Sequence, residues 1–263
     1  MIEYLPPVAL DEAILRAHIY PRTEQTLFWS DSWDPAYYVA AARAGFISIS
    51  VVHPEHGPIL IPELQENYAI LDWENLHRSR NLARIMRSGR MEEEELELRV
   101  ANPCEHVLSE IMAYHGRSSW LHKPYLALMR ELSNLSCTAF SLHGIELWSR
   151  KRAALIAGEL GYSIGATYTS LSGFCSRSER RWRSFGTLQQ YLFARVLEKR
   201  GYHFWNMGHV GMAYKHALGA EVVPREAFLE RWIEARAEAP STAFANGDVL
   251  KRYVAHRERE SPG

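Results

Sequence analysis

Cysteine is scarce: three in 263 residues, at Cys104, Cys137 and Cys175, with no Cys-x-x-Cys spacing. That excludes a disulfide framework and argues against a zinc site. Reduced thiols in or near a core are expected instead. The histidines form no His-Glu-x-x-His pattern, so no metal site is expected. Long apolar runs are missing too, which leaves no candidate for a membrane-spanning helix. Met1-Ile-Glu-Tyr-Leu-Pro-Pro7 has no basic flank leading into an apolar stretch, so no signal peptide and a cytoplasmic location are expected. Charge of one sign is not in excess: 30 Lys and Arg stand against 31 Asp and Glu. An overall basic field for nucleic acid is thereby excluded, but a local basic patch is not. What is present is 47% apolar and 23% charged residues, enough to bury one good core or two small ones.

Along the chain, the first thirty or so residues read as irregular, broken by Pro6, Pro7 and Pro21. Asp34-Pro35 opens a helix that stops at Gly45. Phe46–Val52 reads as a strand, and two short strands are expected between Pro58 and Leu71. Leu76–Arg90 reads as a basic amphipathic helix, followed by a strand at Leu96–Val100 and helices at 104–114 and 122–132. From Cys137 on come three strand-like stretches, a long helix over 184–200, a short strand at 203–205, a short helix and a last helix from Pro224. Antiparallel strands, then a long helix, then a strand and helix, resemble the core of the GCN5-related N-acetyltransferases. The expected fold class is mixed α/β (α+β): a GNAT-like acyltransferase core over 76–240, a smaller N-terminal α/β domain over 1–75 and a loose tail over 241–263.

A set of short segments then runs in order through the chain. They are Asp34-Pro-Ala-Tyr-Tyr-Val-Ala-Ala-Ala-Arg-Ala-Gly-Phe46, Gly57-Pro-Ile-Leu60, Leu76-His-Arg-Ser-Arg80 and Ser119-Trp120. Phe140-Ser-Leu142 with Ile145-Glu-Leu-Trp148, Phe174-Cys-Ser-Arg177, and Leu218-Gly-Ala-Glu-Val-Val-Pro-Arg225 with Phe228-Leu229 complete it. Their order and spacing resemble the leucyl/phenylalanyl-tRNA–protein transferases. The resemblance implies transfer of Leu or Phe from aminoacyl-tRNA to the α-amine of a protein, which marks it for degradation through the N-degron (N-end rule) pathway. It implies no metal and no bound cofactor.

The same resemblance locates departures. The family's amine-binding Glu falls at Ser172 or Leu171. Its proton-relay Asp and Gln fall at Met207 and His209, within Asn206-Met-Gly-His209. Its first adenosine-stacking Trp falls at Ile49, while the second is kept as Trp120. His209 is therefore the expected general base, with Asn206 as an oxyanion donor and Ser172 as a hydrogen-bonding group for the acceptor. Trp120, Tyr168 and Phe174 are expected to wall the substrate pocket. Arg183-Ser-Phe-Gly186 precedes the long helix as a phosphate-binding loop would, with Arg177 just before it. Arg80 and Arg84 share a helix face that suits an RNA backbone. Three readings stay open: an aminoacyltransferase using aminoacyl-tRNA, an acyltransferase using acyl-CoA or another acyl donor, and a non-catalytic relative. The acceptor is expected to be a protein or peptide amine.

Overall fold

The structure is a computed structural model that describes residues 2–101, 103–116, 120–135 and 139–254. Cys137 and Ser119, both singled out above, lie outside the described residues. In chain order the elements are β1 (Glu3–Tyr4), α1 (Glu12–Ile14), β2 (Phe28–Trp29), α2 (Pro35–Arg43), β3 (Ile47–His53), β4 (Gly57–Glu63) and β5 (Asn67–Leu71). Then come α3 (Arg80–Arg87), α4 (Arg90–Glu93), β6 (Leu96–Ala101), α5 (Glu105–His115), α6 (Lys123–Ser133), β7 (Ser141–Ser149), β8 (Ala154–Ile164) and β9 (Thr167–Cys175). The remainder is α7 (Phe185–Lys199), β10 (Phe204–His209), α8 (Ala213–Leu218), β11 (Glu221–Pro224), α9 (Arg225–Ala235) and β12 (Val249–Arg252).

Local chemistry sets several of these boundaries. Asp34 caps α2 by accepting from the Ala36 N–H, with Pro35 in the first turn. The basic helix starts later than its sequence pattern suggests, at Arg80, because the Ser79 hydroxyl takes the Leu82 N–H and fixes the cap there.

Eight strands form the main sheet, in the order β11-β5-β10-β9-β8-β7-β6-β12. It is antiparallel except where β9 and β10 run side by side. Helices α2, α5, α6 and α9 cover one face, burying Val107, Met129, Phe228 and Trp232 against Leu160 and Tyr162. Helices α3 and α7 cover the other, burying Leu82, Leu188 and Phe193 against Ile145, Leu147 and Tyr168. The mixed α/β class is as expected. Pairs β1–β2 and β3–β4 stand apart around a small core of Leu5, Leu15, Phe28, Phe46 and Leu64.

Two expectations about organisation need correction. The large sheet takes a strand from before residue 75, since β5 pairs with both β10 and β11. The tail is also not loose throughout. Residues 249–252 add β12 to the edge of β6, and Phe244 stacks on Tyr202 and Phe193. The polar composition hid this, because an edge strand needs only one apolar contact and a free ladder. The irregular start, likewise, holds a short parallel pair and a helical stretch over 12–19.

One of the recognisable segments, Leu218–Arg225, proves to be structural at two positions. At Gly219, φ is +112° and an added Cβ would fall 1.9 Å from the Asn75 carbonyl oxygen, so only glycine fits. Arg225 is 1% exposed and its guanidinium donates to the carbonyls of Arg22, Thr23, Gln25, Leu64 and Gln65. It stitches the N-terminal segment to the start of α9. Replacing it leaves buried carbonyls without donors, so Arg225→Leu should cost about 3–5 kcal/mol. Urea unfolding checks this; a loss under 1 kcal/mol would contradict the role.

Candidate functional site

Strands β9 and β10 pair only over Thr167–Thr169 with Phe204–Asn206. Beyond that point they no longer bond to each other, and a cavity of about 590 Å³ opens between Ser170–Cys175 and Met207. Unbonded strand edges leave N–H and C=O groups free for a ligand. The lining comes from both sides of the sheet: Tyr114 and His115 end α5, and Thr187, Gln189 and Gln190 lie on α7. Lys215 of α8 and Glu159 of β8 complete the inner wall.

Glu159 is 3% exposed in the middle of an apolar strand. The Ser170 hydroxyl donates to its Oε1 at 2.8 Å, and Trp205 Nε1 donates to that same hydroxyl at 2.7 Å. With its one hydrogen committed to the carboxylate, Ser170 must accept from the indole, so the direction of the chain is fixed. Burial pushes the Glu159 carboxyl up to about 8, against the pull of the Ser170 bond and the Lys215 charge. Lys215 is buried as well, and burial pulls its ammonium down to about 8. Its Nζ donates to the carbonyls of Met207 and His209, which holds the end of β10 after its ladder stops. Gln189 is 2% exposed and lines the cavity, and its Nε2 has no hydrogen-bond partner among the described residues.

A second cavity, of about 460 Å³, adjoins the first. Arg84, Arg90, Arg180 and Arg183 line it with Asn81 and Ser184, and none of the four arginines is ion-paired among the described residues. Asn81 Nδ2 donates to the Ser184 hydroxyl at 2.9 Å, which ties α3 to the start of α7. Ser184 lines both cavities and holds a left-handed backbone, φ +70°. Strain of that kind in a residue other than glycine concentrates at functional sites.

The sequence matches the family described as leucyl/phenylalanyl-tRNA protein transferase over residues 70–232, which includes every residue that lines either cavity. The chain belongs to the leucyl/phenylalanyl-tRNA protein transferase family. No curated protein matches it. Among solved structures it is similar to L-PGS from Bacillus licheniformis: 15% identity, TM-score 0.37, covering 71% of this chain and 55% of that one. It is also similar to the C-terminal domain of a protein described as a lysylphosphatidylglycerol synthetase from Agrobacterium fabrum: 14% identity, TM-score 0.43, covering 81% and 72%. The chain thus spans little more than half the length of the first.

Within this family member, the expected residues fall into separate groups. Ser172, Trp120, Phe174 and Gly186 line the larger cavity. Ser172 Oγ lies 3.4 Å from His115 Nε2, and the Trp120 ring stands edge-on to Tyr125. Arg177 sits at the rim, its guanidinium 4.1 Å from the ring centre of Tyr114. Arg84 and Arg183, far apart in sequence, share the basic cavity. The others lie elsewhere. His209 is exposed outside the cavity, and its Nδ1 accepts the Gly211 N–H at 2.9 Å. Asn206 is buried, and its Oδ1 accepts the Gly208 N–H where the β10 ladder shifts register. Tyr168 is core: its hydroxyl packs where a Cβ on Gly161 would be 2.3 Å away. Arg80 is exposed and lines neither cavity. Among the described residues no cluster of His, Cys, Asp and Glu is arranged to hold a metal ion, and no helix is long and apolar enough to cross a membrane.

Glu159, Lys215 and Gln189 escaped sequence reasoning. One signal was present: a single carboxylate inside an eleven-residue strand otherwise built of apolar, small and aromatic residues. Such a group is seldom buried without a use. Its place is informative, because β8 pairs Leu160 with Ser172 and Glu159 with Gly173. Glu159 is therefore on the strand next to Ser172, one of the two positions at which the family's amine-binding Glu was expected to fall.

Proposed function

We propose that the chain moves an amino acid from aminoacyl-tRNA to the N-terminal amine of a protein or peptide, the step that creates an N-degron. The observation that carries this is the junction at Ser184, where an arginine-lined cavity meets one with a buried carboxylate. The phosphates at the 3′ end of the donor suit the arginines, and the acyl group attached there reaches past Ser184 into the larger cavity. The acceptor amine enters from the side of Tyr114, His115 and Trp120. As the neutral amine nitrogen bonds to the ester carbonyl, Glu159 as carboxylate takes its proton; the ester C–O bond then breaks and Glu159 returns that proton to the departing ribose oxygen. Burial raises the Glu159 carboxyl to about 8, which suits a group that must both take a proton and give it back.

The test uses tRNA charged with labelled amino acids and a peptide beginning with Arg. Peptide labelling that ribonuclease abolishes and coenzyme A leaves unchanged is expected. Acetyl transfer from acetyl-CoA, or no labelling from any charged tRNA, overturns the reading.

A further inference from the structure

We propose that Glu94 is a positioning residue for the donor: it holds the loop that carries Arg180 and Arg183 in the geometry that grips the phosphates. This rests on the donor assignment above and names what keeps that site formed before the donor arrives. Four guanidinium groups converge on the smaller cavity, from α3 (Arg84), the start of α4 (Arg90) and the loop before α7 (Arg180 and Arg183). None of them has a carboxylate partner among the described residues. Like charges gathered in this way repel one another, so the loop needs an anchor elsewhere.

Arg181, the arginine of that loop that does not line the cavity, supplies the anchor. Its guanidinium donates to Glu94 Oε1 at 3.2 Å and pairs with Glu179 at 2.7 Å. Its carbonyl accepts from the Arg90 guanidinium. Glu94 lies one helical turn after Arg90, and its N–H bonds to the Arg90 carbonyl. The short helix α4 therefore holds one loop residue twice, by side chain and by backbone. Glu94 can do this because it is itself fixed from the other side. It is 3% exposed, and its Oε2 lies 2.9 Å from both the Ser149 hydroxyl and Arg152 Nε. Ser149 ends β7, so the fixed point is the main sheet. A binding loop ordered beforehand spares the ligand that cost, which raises affinity without touching the reacting atoms. Its loss shows in KM and leaves kcat in place.

The experiment compares the native chain with Glu94→Gln, Arg181→Gln and the double variant, in transfer from charged tRNA and in filter binding of that tRNA. KM and Kd should rise about 5- to 50-fold in either single variant, with kcat within about twofold of native. The sign for Glu94→Gln is diagnostic. Through the field alone, removing a carboxylate beside a phosphate site tightens RNA binding; through loss of the anchor, it weakens it. The double variant should be no weaker than the singles, because both remove one link. Should Glu94→Gln fail to fold, the exposed Arg181 carries the test: Arg181→Gln weakens binding and Arg181→Lys, which keeps the pair, restores most of it. Unchanged or tighter binding in the single variants, or losses that multiply in the double one, overturn the inference and leave the donor reading standing. Absence of binding and transfer with the native chain overturns both.

Discussion

Glu159→Gln is expected to cut aminoacyl transfer by about 10²- to 10⁴-fold, the usual range for loss of a positioned base. The amide keeps the shape and still accepts from Ser170, so the chain Trp205–Ser170–159 survives without its proton acceptor. Stability should move the opposite way, and the sign follows from the direction of the shift. The carboxyl is raised to about 8 in the fold, above its ordinary value of 4.5. The native state therefore holds the proton more tightly than the unfolded chain. Stability from that group is fully present below the ordinary value and is lost as pH rises through about 8. Glutamine has no such loss. The melting temperature of the variant relative to the native chain should climb from pH 5 to 8 and level off above. Lys215, which loses its neighbouring charge, still has two carbonyls to donate to. A variant that is inactive and less stable at pH 8 would mean that Glu159 is a packing residue. Activity within fivefold of native would remove it from the chemistry altogether.

The second large effect concerns the donor. Arg84→Ala combined with Arg183→Ala should weaken binding of charged tRNA by about 10- to 100-fold at physiological salt and lower the slope of log K against log salt by roughly 2, about one per lost phosphate contact. Both side chains are exposed and make no ion pair among the described residues, so the fold should be unaffected. Filter binding across a salt series reads both numbers. An unchanged slope would place the RNA backbone elsewhere on the protein. The net charge of −1 makes the prediction sharper, because no overall basic field stands behind these arginines to mask their loss.

Much of this architecture was legible beforehand, for physical reasons. Strand alternation and Gly or Pro breaks marked the order from β7 to α9 apart from the short β11, and Pro224 marked the start of the last helix. The large-sheet membership of β5 was not legible, because its partners lie far along the chain in β10 and β11 and local pattern carries no register. Pairing of β12 was hidden in the same way. In the site, positions matched to family motifs place Ser172, Trp120 and Phe174 on the wall of the larger cavity, where Gly186 of the acetyltransferase-type loop also lies. They failed for His209, since a matched position at a strand end says nothing about which way a turn sends the side chain. They failed for Glu159 because motif matching looks along a strand, whereas a carboxylate can be supplied from across it.

The place of β5 in the sheet also bears on how the chain is made. It bonds to β10 and β11, which begin roughly 140 and 150 residues later in the sequence, a separation that raises contact order and slows folding. On a ribosome adding about 5–20 residues per second, that interval is on the order of ten seconds. Throughout it, Tyr68, Ala69, Ile70 and Leu71, all wholly buried once folded, have no strand to lie against. Nascent chains of this protein therefore carry an apolar segment that a holdase chaperone is suited to shield until the last third of the sequence emerges.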